Sequence, residues 1–165
     1  MDVLVSDTSV VIDLERAELI ERIFALPCRF VVPDALYENE IKDYGGARLV
    51  ELGLEVRSLT GEQITEAQRF RSLERRISIH DSYALSLAKA EAAILLAGDA
   101  AMRRLAETEE VRCHGVLWVF DRLEEHQVVG AAALHAGLSR VVAHPRCWLP
   151  RNMVDQRLRR YAEGK

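Results

Sequence analysis

Four acidic residues lie where this chain turns out of an apolar segment or into a helix. They are Asp7, Glu40, Asp81 and Asp99. Carboxylates that are crowded together repel one another and resist ionisation unless a cation holds them. Hard divalent ions such as Mg²⁺ and Mn²⁺ prefer oxygen ligands. If the fold brings these four side chains together, the sequence predicts a divalent metal site.

Short apolar strands alternate with amphipathic helices along the chain. Strands are predicted at residues 3–5, 30–32, 54–58, 94–97 and 111–114. Helices are predicted after the first strand, at residues 33–44, 47–52 and 60–76, from residues 78 and 100, and at 117–127, 131–143 and 154–162. This alternation is typical of a parallel sheet with helices on both faces, in which sites form beyond the carboxyl ends of the strands. Asp7 and Asp99 closely follow their strands, so we expect both at that edge.

The three aspartates also have a purely structural explanation. Asp7 and Asp99 can each cap a helix N-terminus, because a carboxylate accepts hydrogen bonds from the first amides of a helix. Ser78 and Asp81 form a close variant of a capping box. The first turn of a helix is also where a side chain points out past the edge of the sheet. Both interpretations stay open for each residue, and the shared edge favours the site.

The fourth acid is less certain in position than the aspartates. Glu40 lies one turn after Leu36 on the predicted helix, but Glu38 competes for the same role. An exposed surface position is the default for either glutamate. His80, beside Asp81, is expected on the surface or in the core rather than as a ligand.

The composition is that of an ordinary globular domain. The chain has 165 residues, of which 49% are hydrophobic and 29% are charged. Its apolar runs are too short to cross a bilayer, and its start lacks the pattern of a signal peptide. Cys28, Cys113 and Cys147 are odd in number and widely separated, which argues against disulfides and a zinc site. We therefore expect a single domain in the cytoplasm, with no membrane contact.

The charge balance excludes a protein coated with positive charge, because the net charge is −4. An acidic metal site contributes to that negative count, so a local binding surface for nucleic acid is still allowed. Basic residues are concentrated in two stretches, Arg69, Arg71, Arg75 and Arg76, and Arg151, Arg157, Arg159, Arg160 and Lys165. Each stretch is either a solvated helix face with ion pairs or part of a local surface that binds nucleic acid.

Four segments resemble the motifs of PIN domains, and in particular those of the toxin ribonucleases of VapBC-type toxin–antitoxin modules. They are VSDTSVVIDL at residues 5–14, VPDALYENEI at 32–41, SIHDSYALSLA at 78–88 and LLAGD at 95–99. In order and spacing the resemblance covers residues 1–125. The chain departs from the family pattern at residues 102–104, where many relatives carry another acid and this chain has Met-Arg-Arg.

The resemblance implies a PIN-like three-layer α/β sandwich with a central, mostly parallel sheet flanked by helices. The whole chain, residues 1–165, would be a single domain in which residues 127–165 form a C-terminal helical extension. Such a protein would act on RNA, with single-stranded RNA favoured over structured RNA because unstacked bases can be read. A cognate antitoxin and a homodimer are further expectations from the family.

The same resemblance implies a metal-dependent endoribonuclease. Asp7, Glu40, Asp81 and Asp99 would be both the catalytic residues and the ligands of Mg²⁺ or Mn²⁺. Ser9 or Thr8 would supply a supporting hydroxyl. The alternative is a catalytically weak PIN-like module that binds RNA or protein.

Other phosphate-handling classes fit the sequence less well. A haloacid-dehalogenase-type phosphatase needs a second acid two residues after its first, where this chain has Ser9, and a well-placed lysine. A receiver-like phosphoacceptor needs an acid pair before Asp7. Neither a Gly-x-Gly-x-x-Gly loop nor a Walker A sequence is present.

Overall fold

A computed structural model describes residues 1–164, which form a five-stranded sheet with helices on both faces. The strands are β1 (Asp2–Ser6), β2 (Cys28–Pro33), β3 (Glu55–Arg57), β4 (Ile94–Leu96) and β5 (Cys113–His114). They are paired in the order β3-β2-β1-β4-β5, and all four pairings are parallel. The predicted α/β sandwich is confirmed, and its described sheet is parallel throughout rather than mostly so.

Helical segments connect the strands. They are α1 (Thr8–Arg16), α2 (Asp34–Leu36), α3 (Gly46–Leu52), α4 (Gly61–Leu73), α5 (Ile79–Ala90), α6 (Ala100–Thr108), α7 (Val116–Glu125), α8 (Ala131–Ala143) and α9 (Arg151–Glu163). A 3₁₀ turn covers Ile20–Ala25. After α2, a π-helical turn at Tyr37–Ile41 leads into a 3₁₀ turn at Lys42–Tyr44, so the helix predicted at 33–44 changes type twice. Within residues 1–164, every helix is too short or too polar to span a membrane.

Two hydrophobic cores lie on opposite faces of the sheet. Successive side chains of a strand point to opposite faces. Leu4 and Leu96 therefore pack in one core with residues of α1, α3, α7, α8 and α9. Val5 and Leu95 pack in the other core with residues of α4, α5 and α6. Because both faces are covered, the central strands have continuous apolar sequences.

The C-terminal helices α8 and α9 pack on the first of these cores. Leu138 on α8 and Tyr161 on α9 are almost completely buried. Arg157 on α9 donates hydrogen bonds of 2.8 and 2.7 Å to the two carboxylate oxygens of Asp121 on α7. A bidentate pair of this kind fixes direction as well as distance, so it orients α9 against α7.

Helix α8 packs closely against the end of α1 at Gly137. A Cβ atom at this position would lie 3.0 Å from the carbonyl oxygen of Ala17 and 2.9 Å from Cδ1 of Leu19. The Arg140 guanidinium donates a 2.8 Å hydrogen bond to the same carbonyl. Backbone atoms cannot turn aside as the tip of a side chain can, so this contact requires glycine.

We expect Gly137→Ala to lower the free energy of unfolding by about 1–3 kcal/mol, the usual cost of overpacking. This loss would outweigh the better helix propensity of alanine, which is at most about 1 kcal/mol. Gly61→Ala is the matched control, since Gly61 begins α4 and has open space around a Cβ atom. Urea unfolding of both variants measures the difference. Equal stability of Gly137→Ala and the unaltered protein would contradict the close approach.

Candidate active site

The carboxyl ends of β1 and β4 meet at the centre of the sheet. From β1 the chain continues to β2 and β3 on one side, and from β4 it continues to β5 on the other. The amide of Asp7 donates a 2.9 Å hydrogen bond to the carbonyl of Leu96, which ties the two strand ends together. A crevice forms where the strand order reverses in this way. Asp7 follows β1 directly, and Asp99 follows β4 by three residues.

Asp7 is the most deeply buried charged residue of this edge, with 2% of its surface exposed. The Ser9 hydroxyl donates to both of its carboxylate oxygens, at 2.9 and 3.0 Å, and the Val10 amide donates to one of them at 3.0 Å. Burial raises the pKa of Asp7 from its usual 3.8 to about 7, and the nearby charge of Asp81 adds to the rise. The hydrogen bonds act in the opposite direction but do not offset the burial.

Glu40 is brought to the same region by the π-helical turn. Its Oε2 atom accepts a short hydrogen bond from the Thr8 hydroxyl, next to Asp7 in sequence. Its Oε1 atom lies 3.7 Å from Nε2 of His80. Glu38, the competing glutamate, is exposed and pairs instead with Lys42 at 3.0 Å. Of the two candidates, Glu40 is therefore the one that lies beside Asp7 and its neighbours.

Asp81 and Asp99 have the capping roles that the sequence allowed. Asp81 accepts a 3.0 Å hydrogen bond from the Ser78 amide, while the Ser78 hydroxyl accepts one from the Asp81 amide. Asp99 accepts from the Met102 amide at 3.3 Å at the start of α6. Capping does not remove Asp81 from the site, because its charge acts on Asp7. A carboxylate has about four lone-pair positions, so one amide leaves capacity for another ligand.

The donor set fits a hard divalent ion by chemical type, since it consists of carboxylates with nearby hydroxyls. Asp7 in particular is a buried acid, and the main influences on its pKa among the described residues are burial, neutral hydrogen bonds and the charge of Asp81. In residues 1–164, however, no three His, Cys, Asp or Glu side chains come close enough together to hold a metal ion. The three aspartates instead accept amides at helix N-termini.

Two cavities flank this group of acids. Thr8 and Glu40 line one of about 840 Å³, which extends along α1 towards Tyr44. Arg103, one turn along α6 from Asp99, lines another of about 520 Å³. Glu40 therefore borders one open space, and the other lies one helical turn beyond Asp99.

Two residues of this region were not recognised from the sequence. His80 was expected on the surface or in the core, but its side chain is 17% exposed and faces Glu40. Its Nδ1 atom is buried and has no hydrogen-bond partner within residues 1–164. Arg103 stands in the segment where many relatives carry another acid, and no further role was predicted for it from the sequence. Its Nε donates to the Ala97 carbonyl at 3.5 Å, beside the strand end. The sequence position of His80 could have indicated its place near the acids, since it precedes Asp81 in the first turn of α5.

Both basic stretches contain many ion-paired residues. Arg69 pairs with Glu66 and Glu109, and Arg76 pairs with Glu74. In the C-terminal stretch, Arg157 and Arg160 of α9 pair with Asp121 and Glu124 of α7. Lys165 lies outside the described residues. The interpretation as solvated helix faces with ion pairs therefore holds for these arginines.

A parallel α/β sandwich with acidic side chains at the point where the strand order reverses defines the class of this protein. A family model for PIN domains (DUF3368) matches residues 3–163, so the chain belongs to the PIN domain family. The match includes α8 and α9. PIN domains are generally nucleases that use divalent metal ions, and membership suggests RNA binding. No curated protein matches the chain.

The raised pKa of Asp7 has a measurable consequence for the metal-free protein. Between about pH 4 and 7 the folded protein holds a proton on Asp7 that the unfolded chain has lost, so stability falls as the pH rises. We expect this residue to contribute a slope of up to about 1.4 kcal/mol per pH unit. Asp7→Asn, which can still accept the Val10 amide, should flatten that slope and be the more stable protein at pH 8.

Urea unfolding in chelator at pH 4, 6 and 8 measures this effect. Asp43→Asn is the control, since Asp43 is an exposed acid on the 3₁₀ turn after Glu40. Identical pH dependence of Asp7→Asn and the unaltered protein would show that ionisation of Asp7 does not lower the free energy of unfolding.

Proposed function

We propose that this protein is an endoribonuclease that hydrolyses RNA phosphodiester bonds with Mg²⁺ or Mn²⁺. The observation that carries the proposal is the buried carboxylate of Asp7, which lies at the reversal point of the sheet in a chain of the PIN family. Burying a charge without a partner is costly, and strongly perturbed acids are concentrated at functional sites. A divalent cation would provide the missing partner.

Each acid has a distinct task in this proposal. Asp7, Asp81 and Asp99 would hold the metal, and Glu40 would hold metal or orient the attacking water. When bound, the metal supplies positive charge that activates water and neutralises the phosphate oxygens. Hydrolysis by water requires no nucleophile from the protein.

The two hydroxyl residues support the acids. Ser9 contacts both oxygens of Asp7, which fixes the plane of that carboxylate. Thr8 contacts one oxygen of Glu40 and leaves the other facing His80. Residues that hold a ligand in place in this way reduce the rearrangement needed when a cation binds.

Cleavage of a mixed pool of single-stranded and structured RNAs tests the proposal, with Mg²⁺, Mn²⁺ or chelator. We expect metal-dependent cleavage that falls by at least about 100-fold in Asp7→Asn, because a charge that stabilises the transition state is lost. Glu40→Gln should also lose activity. Glu38→Gln is its matched control on the same turn and should retain full activity, since Glu38 is exposed and pairs with Lys42.

Full activity of Asp7→Asn would refute the assignment of the site. If no RNA is cut by the unaltered protein, calorimetry with Mn²⁺ separates the remaining possibilities. Binding that is lost in Asp7→Asn would indicate a metal site with a narrow substrate range. Absence of binding would favour the alternative, a catalytically weak PIN-like module that binds RNA or protein, in which the aspartates serve only as helix caps.

We further propose that the protein acts in the cytoplasm as a VapC-like toxin, forms a homodimer and is inhibited by an antitoxin. The resemblance of its four motifs supports the role. Tyr44 and Trp148, which are 72% and 90% exposed, are aromatic side chains that a partner would cover. Induced expression should arrest growth, and Asp7→Asn should not. Light scattering of the purified protein should give the mass of a dimer.

A further inference from the structure

The 520 Å³ cavity beside α6 opens at the carboxyl end of β5. We call it the base cleft; its lining includes Arg103, His114, Trp118, Leu149 and Met153. Helix α6 connects the cleft to the candidate active site, because Arg103 follows Asp99 by one turn and its amide donates to the Asp99 carbonyl at 3.0 Å. A molecule in the cleft would therefore contact a residue that lies one helical turn from the last of the four acids.

Arg103 supplies a positive charge between the cleft and that acid. Its guanidinium lies against Gly115 and bonds to the Ala97 carbonyl, and it forms no ion pair within residues 1–164. The other arginine of the cleft, Arg157, is neutralised by Asp121. Arginine suits phosphate because its fork of N–H donors matches the phosphate oxygens.

The walls of the cleft are flat and largely uncharged. The rings of His114 and Trp118 are stacked, with centroids 4.5 Å apart and planes only 6° from parallel. The Arg122 guanidinium lies 5.3 Å from the centre of the Trp118 ring. Burial, and then the charges of neighbouring arginines, lower the pKa of His114, so its ring is neutral at pH 7. Both rings are only partly buried and are open to a ligand.

The acids of the cleft do not make it unfavourable for a nucleotide. Asp121 is held by Arg157 and also lies 3.3 Å from Arg160. Glu107 is exposed to solvent, where its charge is screened by salt. The rest of the cleft surface is neutral, aromatic and apolar. Arg103, which has no ion pair within residues 1–164, lies on the side nearest the acids.

We propose that the base cleft is a nucleotide subsite for single-stranded RNA. A base next to the cleaved phosphodiester stacks on the His114–Trp118 pair, and its phosphate binds Arg103. The subsite rests on the proposed ribonuclease function for its substrate. Stacking on aromatic rings holds any base, so the cleft fixes the path of the strand rather than reading its sequence.

Fluorescence anisotropy with a labelled single-stranded RNA tetranucleotide tests this subsite in chelator, where neither cleavage nor metal contributes. We expect Arg103→Gln to weaken binding about tenfold. Arg104→Gln is the matched control, because Arg104 is the adjacent exposed arginine of α6 and does not line the cleft. The affinity of this variant should change less than about twofold, since a solvated charge that does not border the cleft contributes little.

A second probe separates a contact with the base from a structural effect of mutation. Tetranucleotides in which one internal position at a time lacks its base should include one that binds about tenfold more weakly to the unaltered protein. In His114→Ala, that same probe should bind no more weakly than the intact tetranucleotide. This non-additivity is the signature of two groups in contact, and a merely destabilised protein does not produce it.

The outcomes distinguish this proposal from the ribonuclease proposal. If RNA is cleaved but Arg103→Gln and Arg104→Gln bind and cleave alike, the subsite is wrong and the nuclease stands. If the variants behave as expected but no metal supports cleavage, the subsite stands and the nuclease assignment fails. Failure of the unaltered protein to bind the tetranucleotide would also overturn the subsite. If His114→Ala does not fold, the comparison of Arg103→Gln with Arg104→Gln still tests the subsite.

Discussion

The position of every candidate catalytic residue depends on the parallel pairing of β1 with β4. These strands pair through Leu4 to Ser6, and the amide of Asp7 extends the pairing by one further hydrogen bond to Leu96. Because the chain leaves this pair in opposite directions, the connecting helices diverge and a crevice is left between them. Asp7 and Asp99 follow the two central strands, while the π-helical turn after α2 brings Glu40 next to Thr8 and α5 brings the charge of Asp81 near Asp7. The site is thus a consequence of strand order.

Burial of Asp7 sets the electrostatics of this crevice. Most charges of the described chain are paired at the surface, as Arg69 is with Glu66, and such exposed pairs contribute little to stability. Asp7 is the contrary case, since its carboxylate is removed from water and receives only neutral hydrogen bonds and the repulsion of Asp81. A fold selected for stability alone would place an apolar or hydroxyl residue here. An acid at this position is therefore better explained by chemistry than by packing.

Local patterns in the sequence predicted the sheet and the helix caps, because alternation and capping depend on residues close in the chain. The capping box of Ser78 and Asp81 formed as its spacing indicated. The last strand is shorter than the predicted 111–114, since only Cys113 and His114 pair in register with β4. The contact of Thr8 with Glu40 and the location of Arg103 could not be predicted, because both depend on how distant segments pack. The roles of the four acids in metal binding stay predictions.

The π-helical turn at Tyr37–Ile41 gives the site an unusual evolutionary vulnerability. Here the Lys42 amide bonds to the Tyr37 carbonyl five residues back, which is the geometry left when one residue is added to an α-helix whose ends are already anchored. Tyr37 and Ile41 are both buried and act as those anchors. Loss of one residue between them would replace the wide turn by a regular helical turn, while the two buried anchors stay in place, and would change the direction in which Glu40 points. The contact of Glu40 with Thr8 could therefore be lost through a change in length at Asn39, with all four acids still present.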